Sequence, residues 1–138
     1  MNKKKVIIVI ILLIILSIVF LLRKEFLQNK DQACVVSIHQ SLISKKDFFT
    51  EKATEDWKEL DKNTKDKFLS SIAKSSSLDC RNKDDNEIPV DSWGKSFRIA
   101  YKISNGEKKQ YIVWSNGSDG VSSTQDDIIS PYENKPPF

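Results

Sequence analysis

The chain has 138 residues, with 22 Lys+Arg, 19 Asp+Glu and one His, for a formal net charge of +3. Residues 6–22 are apolar at 16 of 17 positions, whereas residues 23–138 hold 37 hydrophobic residues in 116. An apolar segment joined to at most one small domain excludes a large enzyme with a deep cleft. Charge divides the same way, because residues 1–23 carry four basic residues and no acid, leaving 18 basic and 19 acidic residues in 24–138.

The N-terminus, Met1-Asn2-Lys3-Lys4-Lys5 followed by the apolar run, fits a signal peptide or a membrane anchor. No small-residue cleavage site follows, since the run passes from Ser17 through Leu22 directly into Arg23 and Lys24. A 17-residue helix covers about 25 Å, a little short of a hydrocarbon core of about 30 Å. Arg23 and Lys24 can snorkel, and Phe26 and Leu27 extend the apolar face. The expected organisation is a cytoplasmic basic tail (1–5), a transmembrane anchor in contact with membrane lipid (6–22), an extracytoplasmic helical region (23–88) and a C-terminal β region (89–138). Lys3, Lys4 and Lys5 favour a cytoplasmic N-terminus under the positive-inside rule. The expected location is a single-pass inner (cytoplasmic) membrane protein with a periplasmic or otherwise extracytoplasmic domain.

Cys34 and Cys80 both lie beyond the run, and an even pair in an exported domain suits one disulfide. Two buried free thiols are the alternative. A zinc site is not expected, because there is no Cys-x-x-Cys and His39 is the only histidine. A Cys34–His39 dyad is disfavoured too, since positions five apart on a helix point to different faces.

No Gly or Pro precedes Pro89, so the first part of the chain can be helical throughout. Between Asp31 and Phe49, Val35, Ile38 and Leu42 step by three and four, which predicts a helix continuing out of the anchor. A second helix is predicted from Thr54 as N-cap, with Glu55 and Asp56 in its first turn. Trp57, Leu60, Phe68, Ile72 and Ala73 form its apolar stripe, interrupted at 61–63. Ser75–Ser77 and Arg81–Glu87 read as loop. From Ser96 the period becomes two: Phe97, Ile99, Tyr101 and Ile103 alternate with Arg98, Ala100 and Lys102. Asn105-Gly106 supplies a hairpin turn and Tyr111–Trp114 the returning strand. Two strands alone are marginal, so the helices must cover them. The expected fold is α+β: a long N-terminal transmembrane helix and a second helix packed on a small C-terminal antiparallel hairpin sheet.

After the hairpin, residues 115–128 hold three carboxylates, several hydroxyls and two glycines, with no Lys or Arg among them. Hard oxygen donors on a flexible loop suit calcium. The spacing is not that of an EF-hand, and a solvated polar loop is the alternative reading.

Four blocks in order, Asp91-Ser92-Trp93-Gly94, a hairpin, Ser115-Asn116-Gly117-Ser118-Asp119-Gly120 and Asp126-Asp127-Ile128, resemble the C-terminal part of the type II secretion major pseudopilin. The family's pattern runs Asp-Pro-Trp-Gly, two strands, Ser-x-Gly-x-Asp-Gly and an acidic pair followed by Ile. The resemblance covers residues 89–129. It implies one calcium ion ordering the loop, held by the side chains of Asp119, Asp126 and Asp127, the carbonyl of Asn116 and an oxygen of Thr124. It also implies structural roles for Trp93, packed beneath the loop, and for Gly94 and Gly120. Four departures stand beside it. No Gly precedes residue 94 to form a Gly-Phe prepilin cleavage site, no acidic residue precedes Glu25, Ser92 replaces the family's Pro, and a Cys34–Cys80 bridge is not expected of the major pseudopilin.

The resemblance implies a non-enzymatic component of a secretion or pilus-like apparatus, self-assembling or contacting secretion-system proteins. A stand-alone anchored module that contacts another envelope protein is the alternative. No Ser/His/Asp set or phosphate-binding glycine loop points to an enzyme or a small-molecule substrate. The mixed charges give no basic patch for nucleic acid.

Overall fold

The structure, a computed structural model, describes residues 3–45, 56–74, 78–104 and 108–131. Helix α1 (Lys3–Ser44) is continuous over 42 residues, about 63 Å at the usual rise. Its two halves meet different surroundings. From Ile7 to Phe26 every side chain is exposed, and burial begins at Leu27. By length and composition the helix can cross a membrane, and none of its most apolar 18-residue window is buried. Farther along, Cys34, Val35, Ile38 and Leu42 enter the core, on the face that the three-and-four spacing predicts.

Four short strands form one antiparallel sheet in the order β1-β2-β3-β4. They are β1 (Lys58–Glu59), β2 (Arg98–Ser104), β3 (Lys108–Ser115) and β4 (Ile128–Ser130). The central β2–β3 ladder runs from Arg98↔Trp114 to Ser104↔Lys108, so the returning strand begins earlier than Tyr111. The expected Asn105-Gly106 turn lies outside the described residues.

Alternation sorts the strand side chains to the two faces. Phe97, Ile99, Tyr101, Ile103, Tyr111 and Val113 meet α1 and the second helix in the main core. Ala100, Ile112 and Trp114 form a smaller cluster with Trp57 and Ile129 packed against it. The face expected to be largely polar is therefore partly covered by aromatic rings.

The second helix, α2, spans Lys62–Ala73 rather than starting near Thr54. Asp61 is its N-cap, with its carboxylate accepting from the Thr64 N–H at 3.0 Å. Trp57 and Leu60 precede the helix: Lys58 and Glu59 pair with Tyr101 and Ala100, and the Leu60 N–H donates to the Ile99 carbonyl at 2.9 Å. Their three-residue step mimics a helix, but the unpaired edge of β2 offers this segment backbone partners. The expected cap Thr54 and first-turn Glu55 lie outside the described residues. Phe68, Leu69 and Ile72 carry the buried face of α2.

Cys34 and Cys80 form a disulfide, with Cα atoms 4.6 Å apart, that ties α1 to the segment following α2. Cys34 is thereby unavailable to His39, whose Nε2 lies 3.1 Å from the Tyr111 carbonyl oxygen. No dyad forms.

Candidate functional site

The loop from Asn116 to Asp127 connects β3 to β4, and a hydrogen-bonded lattice at its base fixes where it leaves the sheet. Asp91 is 1% exposed. Its Oδ1 accepts from the N–H groups of Trp93 (3.0 Å) and Lys95 (2.7 Å), and its Oδ2 from the Ser115 hydroxyl (2.6 Å). Gly94 closes the same turn at φ +77°, donating its N–H to the Asp91 carbonyl at 3.0 Å. Side-chain acceptance from residues two and four ahead is the Asx-turn chemistry of aspartate. The Ser115 hydroxyl in turn accepts from the Gly117 N–H at 3.1 Å, at the start of the loop.

One residue on, the Ser92 N–H and hydroxyl both donate to Asp31 of α1, at 3.0 and 2.9 Å. Asp31 is 3% exposed. A proline at position 92 has neither donor, so the departure from the resembled pattern coincides with a helix carboxylate that needs both. Burial, the largest influence, raises the Asp31 carboxyl above its usual range. The hydrogen bonds from Ser92 oppose this, the charge of Asp91 adds to it and Lys30 opposes it. The lattice Asp31–Ser92–Asp91–Ser115–Gly117 thus joins helix, turn, sheet and loop.

Within the loop, Asp126 is the organising carboxylate. Its Oδ2 accepts from the Ser118 N–H (2.7 Å), the Ser118 hydroxyl (2.6 Å) and the Asp119 N–H (3.2 Å), and its Oδ1 from the Thr124 hydroxyl (2.8 Å). Burial pushes this carboxyl upward, but the hydrogen bonds from Ser118, Thr124 and Asp119 together hold it well below the usual range. Asp127 goes the other way: burial raises it, against the N–H donors of Ser123 and Thr124 and the Thr124 hydroxyl, with the charge of Asp126 adding. Gly117 adopts φ +60°, and a Cβ there would run into the carbonyl and carboxylate of Asp126. Gly120 adopts φ +73° beside the Lys95 ammonium.

The five sequence-predicted ligands are therefore only partly brought together. Thr124 lies between Asp126 and Asp127, its Oγ1 being 2.8 and 3.3 Å from their Oδ1 atoms. The Asp119 carboxylate instead turns to the Val121 N–H at 2.7 Å. The Asn116 carbonyl accepts from the Gly120 N–H at 3.1 Å. Its side chain donates to the Gly120 carbonyl and accepts from the Ser122 hydroxyl. Among the described residues, no group of three His, Cys, Asp or Glu side chains converges on a point where a metal ion could sit. The donors are hard oxygens of the kind calcium takes, so the set fits in chemistry, while its lone pairs are engaged by the loop's own N–H and O–H groups. Trp93 is half-buried against the main core.

Positive charge reaches this cation-free stretch from elsewhere in the chain. The Arg98 guanidinium donates through Nη1 to the Ser122 hydroxyl at 2.6 Å, pairs with both carboxylate oxygens of Glu59, and stacks over the Trp114 ring at 4.8 Å. Sequence reasoning missed Arg98 and Asp31, whose partners Ser122 and Ser92 lie far away along the chain, and the approach of Lys95 to Gly120. On its helix side the loop faces a groove where Ser118, Asp119 and Asp126 meet Lys24, Glu25 and Gln28 of α1.

Compared with protein-family models, with curated proteins and with solved structures, the chain matches none.

Proposed function

We propose that the protein is a membrane-anchored, non-enzymatic, pseudopilin-like structural component of a type II secretion or pilus-like apparatus. In this reading residues 6–22 span the inner membrane, with Lys3–Lys5 on the cytoplasmic side, and the domain stands on the extracytoplasmic side. Calcium orders the β3–β4 loop. The observation that carries the reading is the division of α1: one uninterrupted helix whose apolar first half is bare and whose second half is the spine of an α+β domain. A helix of this form is suited to lie in a membrane or against copies of itself while holding a folded head at fixed height. Thr124, Asp126 and Asp127, with Asp119 and the Asn116 carbonyl, would hold the ion, which would neutralise the adjacent carboxylates of Asp126 and Asp127.

Cross-linking of the full chain in its native membrane tests the assembly. A ladder of self-adducts supports a filament subunit. A single foreign partner instead supports the alternative, a stand-alone anchored binding module. The calcium claim is tested by thermal unfolding with calcium and with chelator, on the wild type and Asp119→Ala. An ion at about 100 times its Kd stabilises by about 2.7 kcal/mol, and the variant should lose most of that gain. No shift in the wild type sinks the calcium claim and leaves the anchored architecture standing.

A further inference from the structure

The boundary of the apolar run and the base of the domain nearly coincide. The run ends at Leu22 and burial on α1 begins at Leu27, so residues 23–26 separate them by about 6 Å of helix rise. One polar headgroup layer is about 5–7 Å deep. A domain loop that packs beside residues 20–27 therefore lies at headgroup depth.

A cleft of about 450 Å³ occupies this position, between Phe20, Arg23, Lys24 and Leu27 of α1 and the loops bearing Trp93 and Ser118. The four helix residues follow the i, i+3, i+4, i+7 spacing of one face, with two cations between two apolar side chains. Among the described residues, no carboxylate lines this cleft. The Ser118 hydroxyl at its edge is already given to Asp126. Neither Arg23 nor Lys24 is in an ion pair among the described residues. Lys24 also borders the neighbouring groove that holds Glu25, Asp119 and Asp126, so those acids compete for it and Arg23 is the less contested cation. Tryptophan at a membrane–water boundary sits with its ring at headgroup level.

We propose that this cleft receives the headgroup of an anionic phospholipid from the leaflet on the domain's side. The phosphate lies on Arg23 and Lys24, and the first part of an acyl chain lies against Phe20 and Leu27. The lipid braces the domain against the bilayer. This rests on the reading of residues 6–22 as a membrane span.

The test uses the full chain. After reconstitution in vesicles it should resist alkaline extraction; release would overturn the spanning reading and the lipid site with it. Native mass spectrometry from micelles holding phosphatidylglycerol and phosphatidylcholine in equal amounts should then show phosphatidylglycerol retained in preference. Arg23→Gln with Lys24→Gln should lower that preference about 5- to 30-fold. Both side chains are exposed and outside the core, so folding is not at stake. Soluble glycerol phosphate should not compete; if it does, the site reads free phosphate and the lipid assignment fails. A headgroup-labelled quencher lipid should dim the fluorescence, and Trp93→Phe should remove that part of the quenching. Equal retention of the two lipids by a chain that resists extraction, or a self-dimer that excludes lipid, overturns the proposal and leaves the span intact.

Discussion

Asp31 and Asp91 are the carboxyl groups the domain buries among its described residues, and each is tolerated because N–H and O–H donors surround it. A buried acceptor left without its donors costs about 1–3 kcal/mol or more, so the Asx turn and Ser92 are conditions of the fold. Asp31 also sets a pH dependence. Its folded pKa is raised, so above the ordinary carboxylate value the folded state holds more proton than the unfolded one. Its contribution is greatest at acid pH and is lost as pH rises through the folded value. Asp31→Asn keeps an acceptor for the Ser92 N–H and removes the titration. In a pH series of urea unfolding, the stability difference should move in the variant's favour from the ordinary carboxylate range upward, then level off; a pH-independent difference would refute the assignment. Asp126 has the opposite sign, because its lowered pKa gives stability that is lost as pH falls below the ordinary carboxylate range. At Gly117 the cost is steric. Left-handed backbone penalises a Cβ by about 1–2 kcal/mol, and the collision with Asp126 adds to it. Gly117→Ala should therefore lower Tm by at least about 4–8 °C, read by thermal denaturation, whereas Gly94→Ala should cost less, since nothing lies within 4 Å of its Cβ position.

At the scale of elements, the disulfide and the edge strands decide how the helices meet the sheet. Cys34 and Cys80 close a loop of 46 residues in sequence, worth about 4 kcal/mol on the chain-entropy account. Cys34→Ala with Cys80→Ala should lower the unfolding free energy by roughly that amount in a urea titration, and reduction of the wild type by dithiothreitol should match it. A cost below about 1 kcal/mol would show that the crosslink constrains little of the unfolded chain. The central hairpin was legible because β2 and β3 are long enough to display a period of two. β1 and β4, at two and three residues, are too short to display any period, and Trp57 and Leu60 imitate a helical step just where the chain pairs with β2. The acid loop was legible from composition. The long-range contacts were not: Arg98 reaches the loop at Ser122 from 24 residues away, and in the turn below it Ser92 reaches Asp31 across 61, distances that no local pattern records.

At the scale of the whole molecule, α1 has a bare apolar half and a half that packs in the core, and the division between them is abrupt. No side chain from Ile7 to Phe26 is buried, while Asp31, Cys34, Val35, Ile38 and Leu42 carry the helix side of the core. The stability of the domain should therefore be independent of the apolar half. A fragment of residues 27–138 would expose a new helix start, whose first turns fray because four N–H groups lose their partners. Asp31 then lies near the positive end of the shortened helix, where a carboxylate is favoured. That offsets part of the fraying and keeps the acceptor for Ser92 in place. The fragment should be monomeric without detergent, should unfold cooperatively in urea, and should match the full chain in phosphatidylcholine nanodiscs, which hold no anionic lipid, to within about 1 kcal/mol. It should also no longer partition into vesicles. A fragment that loses cooperative unfolding would mean that the membrane, or a neighbouring copy, holds the domain together through residues 7–26. The bare first half of α1 would then be part of the fold rather than its tether.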